Sequence, residues 1–283
     1  MNVNEKHKSS VFSRLFSTED VLRELYSAIE GISIPPDTPI NINTLSNVLI
    51  KGLINDVSFT IDNRLVVLIE HQSSINSNMT LRLLLYIAHV YEKIINSKMM
   101  HQKKRLEIPT PEFIVLYNGL APYPEREELR LSDAFKSTEG LIMPKNDKFS
   151  LELLVKVYNI NYGCNAQILK KSEALEGYSF FISKIREYQK EAPLEEAMAR
   201  AIKYCIEHGI LRQFLEENSP EVVNMLLEEW NLDDALAVER EEGREEGREE
   251  SMKVVARKAL EKGATIDFVL EITGLPMEVI EQL

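Results

Sequence analysis

Glu70, His71 and Gln72 follow directly on the aliphatic run Leu65-Val66-Val67-Leu68-Ile69, and Asp56 precedes Glu70 by fourteen residues. A continuous aliphatic run of this length is the pattern of a strand buried on both faces. A carboxylate at the end of such a strand loses hydration, at a cost on the order of several kcal/mol, unless a partner compensates it. A divalent cation is one such partner. Side chains alternate along a strand, so Glu70 and Gln72 share a face and His71 points away. If Asp62, Asn63 and Arg64 form a three-residue hairpin loop, Ile61 pairs with Leu65 and Asp56 lies opposite Glu70 on the same face. A two-residue loop would shift the register by one and separate the two carboxylates. Asn63 suits the left-handed position that the longer loop requires.

Two carboxylates on one face suit Mg²⁺, which takes oxygen ligands and keeps several waters; other divalent cations are alternatives. The main-chain carbonyl of His71 offers a further ligand. An ion held there lowers the pKa of a bound water and polarises a phosphodiester oxygen. Gln72 would orient that water by hydrogen bonding, without the charge of a lysine. The bland alternative is a strand-end polar cluster capped by loops and water, and the residues alone leave both readings open.

The elements that must position these groups follow from periodicity. Ser17 to Ile29 reads as a helix, with Ser17 or Thr18 as cap and Val21, Leu22, Leu25, Tyr26 and Ile29 as its apolar stripe. Strand patterns cover Ile54–Ile61, Leu65–Gln72, Phe113–Tyr117 and Leu153–Ile160, with a long helix at about Met79–Ser97. This β-β-α-β order predicts an α/β fold with a mixed central sheet flanked by helices. Ala121 to Lys148 reads as an irregular excursion. Beyond about Ser172 the pattern is helical, over 173–190, 194–215 and 220–236, with Pro193 and Pro220 at helix starts. The repeat Glu241-Glu242-Gly243-Arg244, Glu245-Glu246-Gly247-Arg248 is either an acidic linker or a marginal helix. A helical hairpin closes the chain: Lys253–Leu260, Ile266–Thr273 and Met277–Leu283. The expected divisions are 1–170, 171–238, 239–252 and 253–283.

The chain has 283 residues, 44% of them hydrophobic, and a formal net charge of −12. That is enough for one large core with appendages. The acidic balance argues against a nucleic-acid coat protein. It does not exclude a metal-dependent nuclease, because a bound cation reverses the local sign. Cys164 and Cys205 form no ligand spacing, and the polar start carries no leader pattern, so a cytoplasmic protein is expected. The apolar run Met79–Ile95 contains Arg82, His89, Glu92 and Lys93 and reads as a core helix, with no membrane span.

The spacing Asp56…Glu70-His71-Gln72 resembles the PD-(D/E)xK nuclease core in the variant with Gln in place of lysine. The run NDVSFTIDNRLVVLIEHQSS, the helix carrying Arg82 and Tyr86, and the strand FIVLYNG resemble the Rpn family of recombination-promoting nucleases, also known as YhgA-like transposases. The GREEGREE segment and the closing hairpin resemble the tails of family members. The resemblance implies a restriction-endonuclease-like core over residues 1–170, an all-helical C-terminal extension, and a Mg²⁺-dependent DNA endonuclease acting in recombination or on mobile DNA. It assigns Asp56, Glu70 and Gln72 to catalysis, with Asp56, Glu70 and the His71 carbonyl on the metal. It also implies an additional acid from the first helix, for which Asp20 and Glu24 are candidates; each is equally readable as a solvated helix acid. Arg82 and Tyr86, four apart on one helix face, either contact phosphate or pair and pack locally. Lys103, Lys104 and Arg105 either touch the DNA backbone or form a solvated loop. The terminal hairpin is acidic, which favours self-association over DNA reading. The rival class is a non-catalytic interaction protein on a decayed nuclease fold, working through its helical C-terminal region.

Overall fold

The aliphatic runs form one six-stranded sheet in the computed structural model, which describes residues 10–43, 56–95, 100–101, 103–137, 149–280 and 282. The strands are β1 (Ile40–Ile42), β2 (Val57–Ile61), β3 (Leu65–Gln72), β4 (Thr110–Tyr117), β5 (Arg126–Arg130) and β6 (Leu154–Asn159). Their order is β1-β2-β3-β4-β6-β5. β1, β2 and β3 run antiparallel in sequence, β3, β4 and β6 are parallel, and β5 returns antiparallel on β6. The sheet is therefore mixed, as the element order predicts. The carboxyl ends of the parallel strands are level, with Gln72 beside Tyr117 and Tyr117 beside Asn159. Open sheets of this kind bind ligands at that end.

The helices are α1 (Val11–Leu15), α2 (Glu19–Glu30), α3 (Met79–Ile94), α4 (Ala166–Leu169), α5 (Glu173–Tyr188), α6 (Leu194–Glu207), α7 (Arg212–Glu261), α8 (Ile266–Thr273) and α9 (Met277–Ile280). Of these, α1, α2, α3 and α5 cover the two faces of the sheet. On one face Val66 and Leu68 of β3 pack with Met79, Leu83, Tyr86, Ile87 and Val90 of α3. On the other, ring contacts of Phe12 and Tyr178 with His71, and of Tyr26 with Phe59, seat α1, α5 and α2. Val66, Val67, Leu68 and Ile69 have no exposed surface, so β3 is buried on both faces. Each such side chain contributes about 1.5–3 kcal/mol of burial.

Several elements differ from the sequence reading. β5 lies in the stretch read as irregular, because it is a charged edge strand with only Leu129 turned partly inward. β1 and α1 are too short for periodicity to reveal. The helix expected over 194–215 stops at Glu207. Gly209 (φ 76°) and Leu211 (φ 47°) turn the chain, and the Ile210 N–H closes the helix end on Cys205 O at 2.8 Å. Pro220 then falls inside α7 instead of starting a helix. The strand expected from Ile54 begins at Val57, with residues 54 and 55 outside the described residues.

The chain divides into two compact units, Met1–Leu227 and Glu228–Leu283. The first contains the sheet, α1 to α6 and the start of α7. The Gly/Arg/Glu repeat is helical, within α7. In the second unit Thr265 caps α8, Gly274 (φ 65°) ends it, and Ala256, Val269, Leu275 and Ile280 form a small core. Among the described residues, no helix is long and apolar enough to cross a membrane.

Candidate metal centre

The β2–β3 hairpin sets the register on which the site depends. Ile61 pairs with Leu65 and Val57 with Ile69, so one further step brings Asp56 opposite Glu70. The turn uses two left-handed residues, Asp62 (φ 49°) and Asn63 (φ 52°), where the sequence reading assigned one. Asp and Asn tolerate that conformation better than other side chains with a Cβ. The Arg64 N–H closes the turn on Ile61 O at 3.0 Å.

Asp56 and Glu70 are tied to each other through the backbone. The His71 N–H donates to Asp56 Oδ2 at 2.7 Å, and the Asp56 N–H donates to Glu70 Oε1 at 3.3 Å. Glu70 is only 3% exposed. Burial pushes the Asp56 carboxyl up to about 6, opposed by the His71 N–H and by Arg82. Burial, and then the Asp56 charge, hold the Glu70 carboxyl well above the ordinary range, again opposed by Arg82. Among the described residues, Arg82 is the cation that lowers both carboxyls.

α3 brings its first two turns against this face. Arg82 Nη2 lies 3.4 Å from Glu70 Oε2 and donates to the Tyr86 hydroxyl at 3.0 Å. Burial alone would lower the Arg82 pKa, but the Tyr86 hydrogen bond and the Glu70 charge outweigh it and raise it. Burial and the Glu70 charge raise the Tyr86 hydroxyl. Gln72 also reaches α3, where its Nε2 contacts Met79 Sδ at 2.7 Å. The four-residue spacing thus gathers Arg82 and Tyr86 at Glu70, and the alternation along β3 puts Gln72 on the same side.

His71 occupies the opposite face. It stacks on Phe12 with centroids 4.9 Å apart, and Tyr178 Oη lies 3.3 Å from its Nε2. Burial, then the nearby Arg186 charge, pushes the imidazole down to about 4. A neutral side chain is what that aromatic enclosure accommodates.

Other predicted residues lie elsewhere. α2 packs on the His71 face, since Tyr26 Oη donates to Glu112 and Glu30 pairs with Lys156. Glu24 accepts from the Ala174 N–H at the start of α5, and Asp20 is exposed. The structure therefore brings neither to Asp56 and Glu70. Lys103, Lys104 and Arg105 are exposed and precede Thr110, which pairs with Leu65. They follow α3, whose sixteen residues carry the chain about 24 Å from the site end of the sheet. Lys98, from the same basic run, lies outside the described residues.

Sequence reasoning missed the polar belt behind the strand ends. Arg186 Nη1 donates to Asn118 Oδ1 at 3.1 Å and to Asn161 Oδ1 at 2.8 Å. The Asn118 N–H donates to Gln72 O at 2.8 Å, which links the belt to β3. The sequence marks only a strand end at Asn118-Gly119. A Cβ at Gly119 would lie 2.0 Å from Ser73 O, so this glycine permits a close backbone approach next to Gln72.

Among the described residues, no three His, Cys, Asp or Glu side chains gather as a metal cluster. The oxygens that could serve a cation are those of the two carboxylates and the His71 main-chain carbonyl, and an all-oxygen, incomplete set of this kind suits a hard cation that retains waters.

Fold and site together define a mixed α/β protein with a buried carboxylate pair, faced by Arg82, at the carboxyl end of its sheet. Residues 51–171 match the model of the family described as "Putative transposase, YhgA-like", and this similarity agrees with the resemblance carried by the motifs. The matched stretch holds β2 to β6 and α3, and so all of Asp56, Glu70, Gln72, Arg82 and Tyr86. No curated protein and no solved structure matches the chain.

Proposed function

We propose that this protein is a Mg²⁺-dependent DNA endonuclease built on a PD-(D/E)xK core and working on mobile or recombining DNA. The observation that carries this reading is the hairpin register, which faces Asp56 with Glu70 beneath α3. The description of the matching family, a YhgA-like transposase, supplies DNA as the substrate class. The Asp56 and Glu70 carboxylates and the His71 carbonyl would hold the ion. When bound, the ion supplies a water of lowered pKa and charge for the phosphodiester oxygen. Gln72, released from Met79, orients that water toward phosphorus. Arg82, held by the hydroxyl of the buried Tyr86, binds the non-bridging phosphate oxygens and fixes the scissile bond. Attack forms a new phosphorus–oxygen bond to water and breaks one ester bond, whose oxygen leaves with a proton.

One observation favours the second reading, a decayed nuclease fold acting as an interaction protein. The Gln72 amide is turned to Met79. Plasmid nicking separates the two. The nuclease reading expects cutting with Mg²⁺ that is lost with EDTA and in Asp56→Ala. Equal nicking by wild type and Asp56→Ala removes the assigned site, and no nicking across a range of metals and salts favours the interaction protein.

A further inference from the structure

Two carboxylates and one guanidinium share the floor of this site, and the guanidinium is loosely held. Arg82 Nη2 stands 3.4 Å from Glu70 Oε2 but 3.0 Å from the Tyr86 hydroxyl. A charge-assisted hydrogen bond between guanidinium and carboxylate is ordinarily about 2.7–2.9 Å. Its Nη1 rests 3.5 Å from Met79 Sδ, a weak acceptor. The Arg82 side chain is 32% exposed, whereas that of Glu70 is 4% exposed. The carboxylate is therefore fixed, and the cation beside it has both a second anchor and a way out. Gln72, at the strand position where a lysine would place positive charge against Glu70, is neutral. Arg82 is the group on α3 that supplies that charge.

We infer that Arg82 is a displaceable counter-ion, which neutralises the Asp56–Glu70 pair until a divalent cation takes its place and then pivots about Tyr86 toward the anionic phosphodiester. This rests on the proposed metal site. A single charge at the end of a long, partly exposed side chain yields to a double charge that both carboxylates can reach. Exchange also avoids a buried pair of unneutralised carboxylates at any stage. Arg82 thus competes with the metal in the resting protein and serves the phosphate in the loaded one.

Competition and support predict opposite signs in two variants. Mn²⁺ is titrated calorimetrically into the full-length protein at pH 8, with circular dichroism to verify the fold. Arg82→Gln is expected to bind Mn²⁺ about tenfold tighter than wild type, equivalent to about 1.4 kcal/mol, while its plasmid nicking at saturating Mn²⁺ falls. Tyr86→Phe takes away the second anchor, leaves the guanidinium to Glu70, and is expected to bind Mn²⁺ about threefold more weakly. A purely structural Arg82 would not tighten the site when removed. Arg82→Gln binding no tighter than wild type overturns the inference and leaves the metal site standing. Should Arg82→Gln fail to fold, Tyr86→Phe decides alone, and unchanged or tighter binding there overturns it. If Mn²⁺ binds wild type and Asp56→Asn equally, or neither, the metal site and this inference fall together.

Discussion

Glu70 and His71 are successive residues at the end of β3, and the two faces of the strand treat them in opposite ways. On one face His71 is enclosed between Phe12 and Tyr178, and burial keeps it neutral. Its Nε2 has the Tyr178 hydroxyl as partner, and its ring is packed by two aromatic side chains. On the other, Glu70 faces Asp56, and one partly exposed arginine stands against two carboxyls. Burial of a polar group is therefore not in itself the mark of a functional site. A better mark is a buried charge whose partner among the described residues is itself partly exposed, because such a partner can yield to a ligand.

The largest expected effect breaks the carboxylate face directly. Asp56→Ala lowers plasmid nicking at saturating Mg²⁺ on the order of a hundredfold or more, whereas His71→Phe, on the opposite face, retains most activity. Initial nicking rates of the two variants side by side check this. Equal losses would erase the distinction between the faces.

The register beneath this comparison was legible in the sequence because strand alternation is strict and the Asp62–Arg64 turn fixes its phase. One slipped residue would have turned Asp56 away. The side on which α2 packs was not legible, since no local pattern in Asp20 or Glu24 says which face a preceding helix will cover. The Arg186 belt was hidden for a related reason. Its partners Asn118 and Asn161 come from different strand ends and meet only after the parallel strands are aligned. β5 escaped because an exposed, charged edge strand has no apolar alternation to read.

The faces also titrate in opposite directions. Asp56, raised to about 6 in the folded protein, contributes stability that is present at low pH and lost as pH rises through about 6. His71, lowered to about 4, contributes stability that is present above about 6.5 and lost as pH falls toward 4. Each amounts to about 3 kcal/mol, so in the metal-free protein the two oppose each other between pH 4 and 6.5. Glu70, also raised by burial, adds to the Asp56 side, so His71→Phe is expected to steepen the fall of stability with rising pH across this window, and Asp56→Asn to lessen it. Urea midpoints at pH 4.5 and 6.5 with EDTA check the signs. Mg²⁺ bound at the proposed site would act on the carboxylate side alone, so its stabilising effect is expected to be larger at pH 8 than at pH 5.

Gly119→Ala tests how closely the strand ends must approach. The new methyl would lie 2.0 Å from Ser73 O, which is backbone and must move. The expected destabilisation is about 1–3 kcal/mol, measured by urea unfolding, with reduced nicking because Ser73 follows Gln72. A glycine-tolerant loop without this close approach would show neither change.

The smallest effect is expected at the basic segment, and its smallness sharpens the contrast between the two ends of the sheet. Lys103, Lys104 and Arg105 are exposed and lead into β4 at the end where Thr110 meets Leu65. Glu70 lies five residues further along, about 17 Å away in strand rise alone. Each phosphate that a protein neutralises on duplex DNA adds about 0.9 to the logarithmic salt dependence of binding. Replacing all three with serine is therefore expected to leave that slope nearly unchanged, and the nicking rate with it. Arg82→Gln, at the other end, is expected to lower the slope by about 0.9, the share of a single phosphate. DNA-binding isotherms at several salt concentrations measure both. A slope reduced by two or more in the triple variant would mean that bound DNA runs the full length of the strands and that the site extends well beyond the carboxylate end.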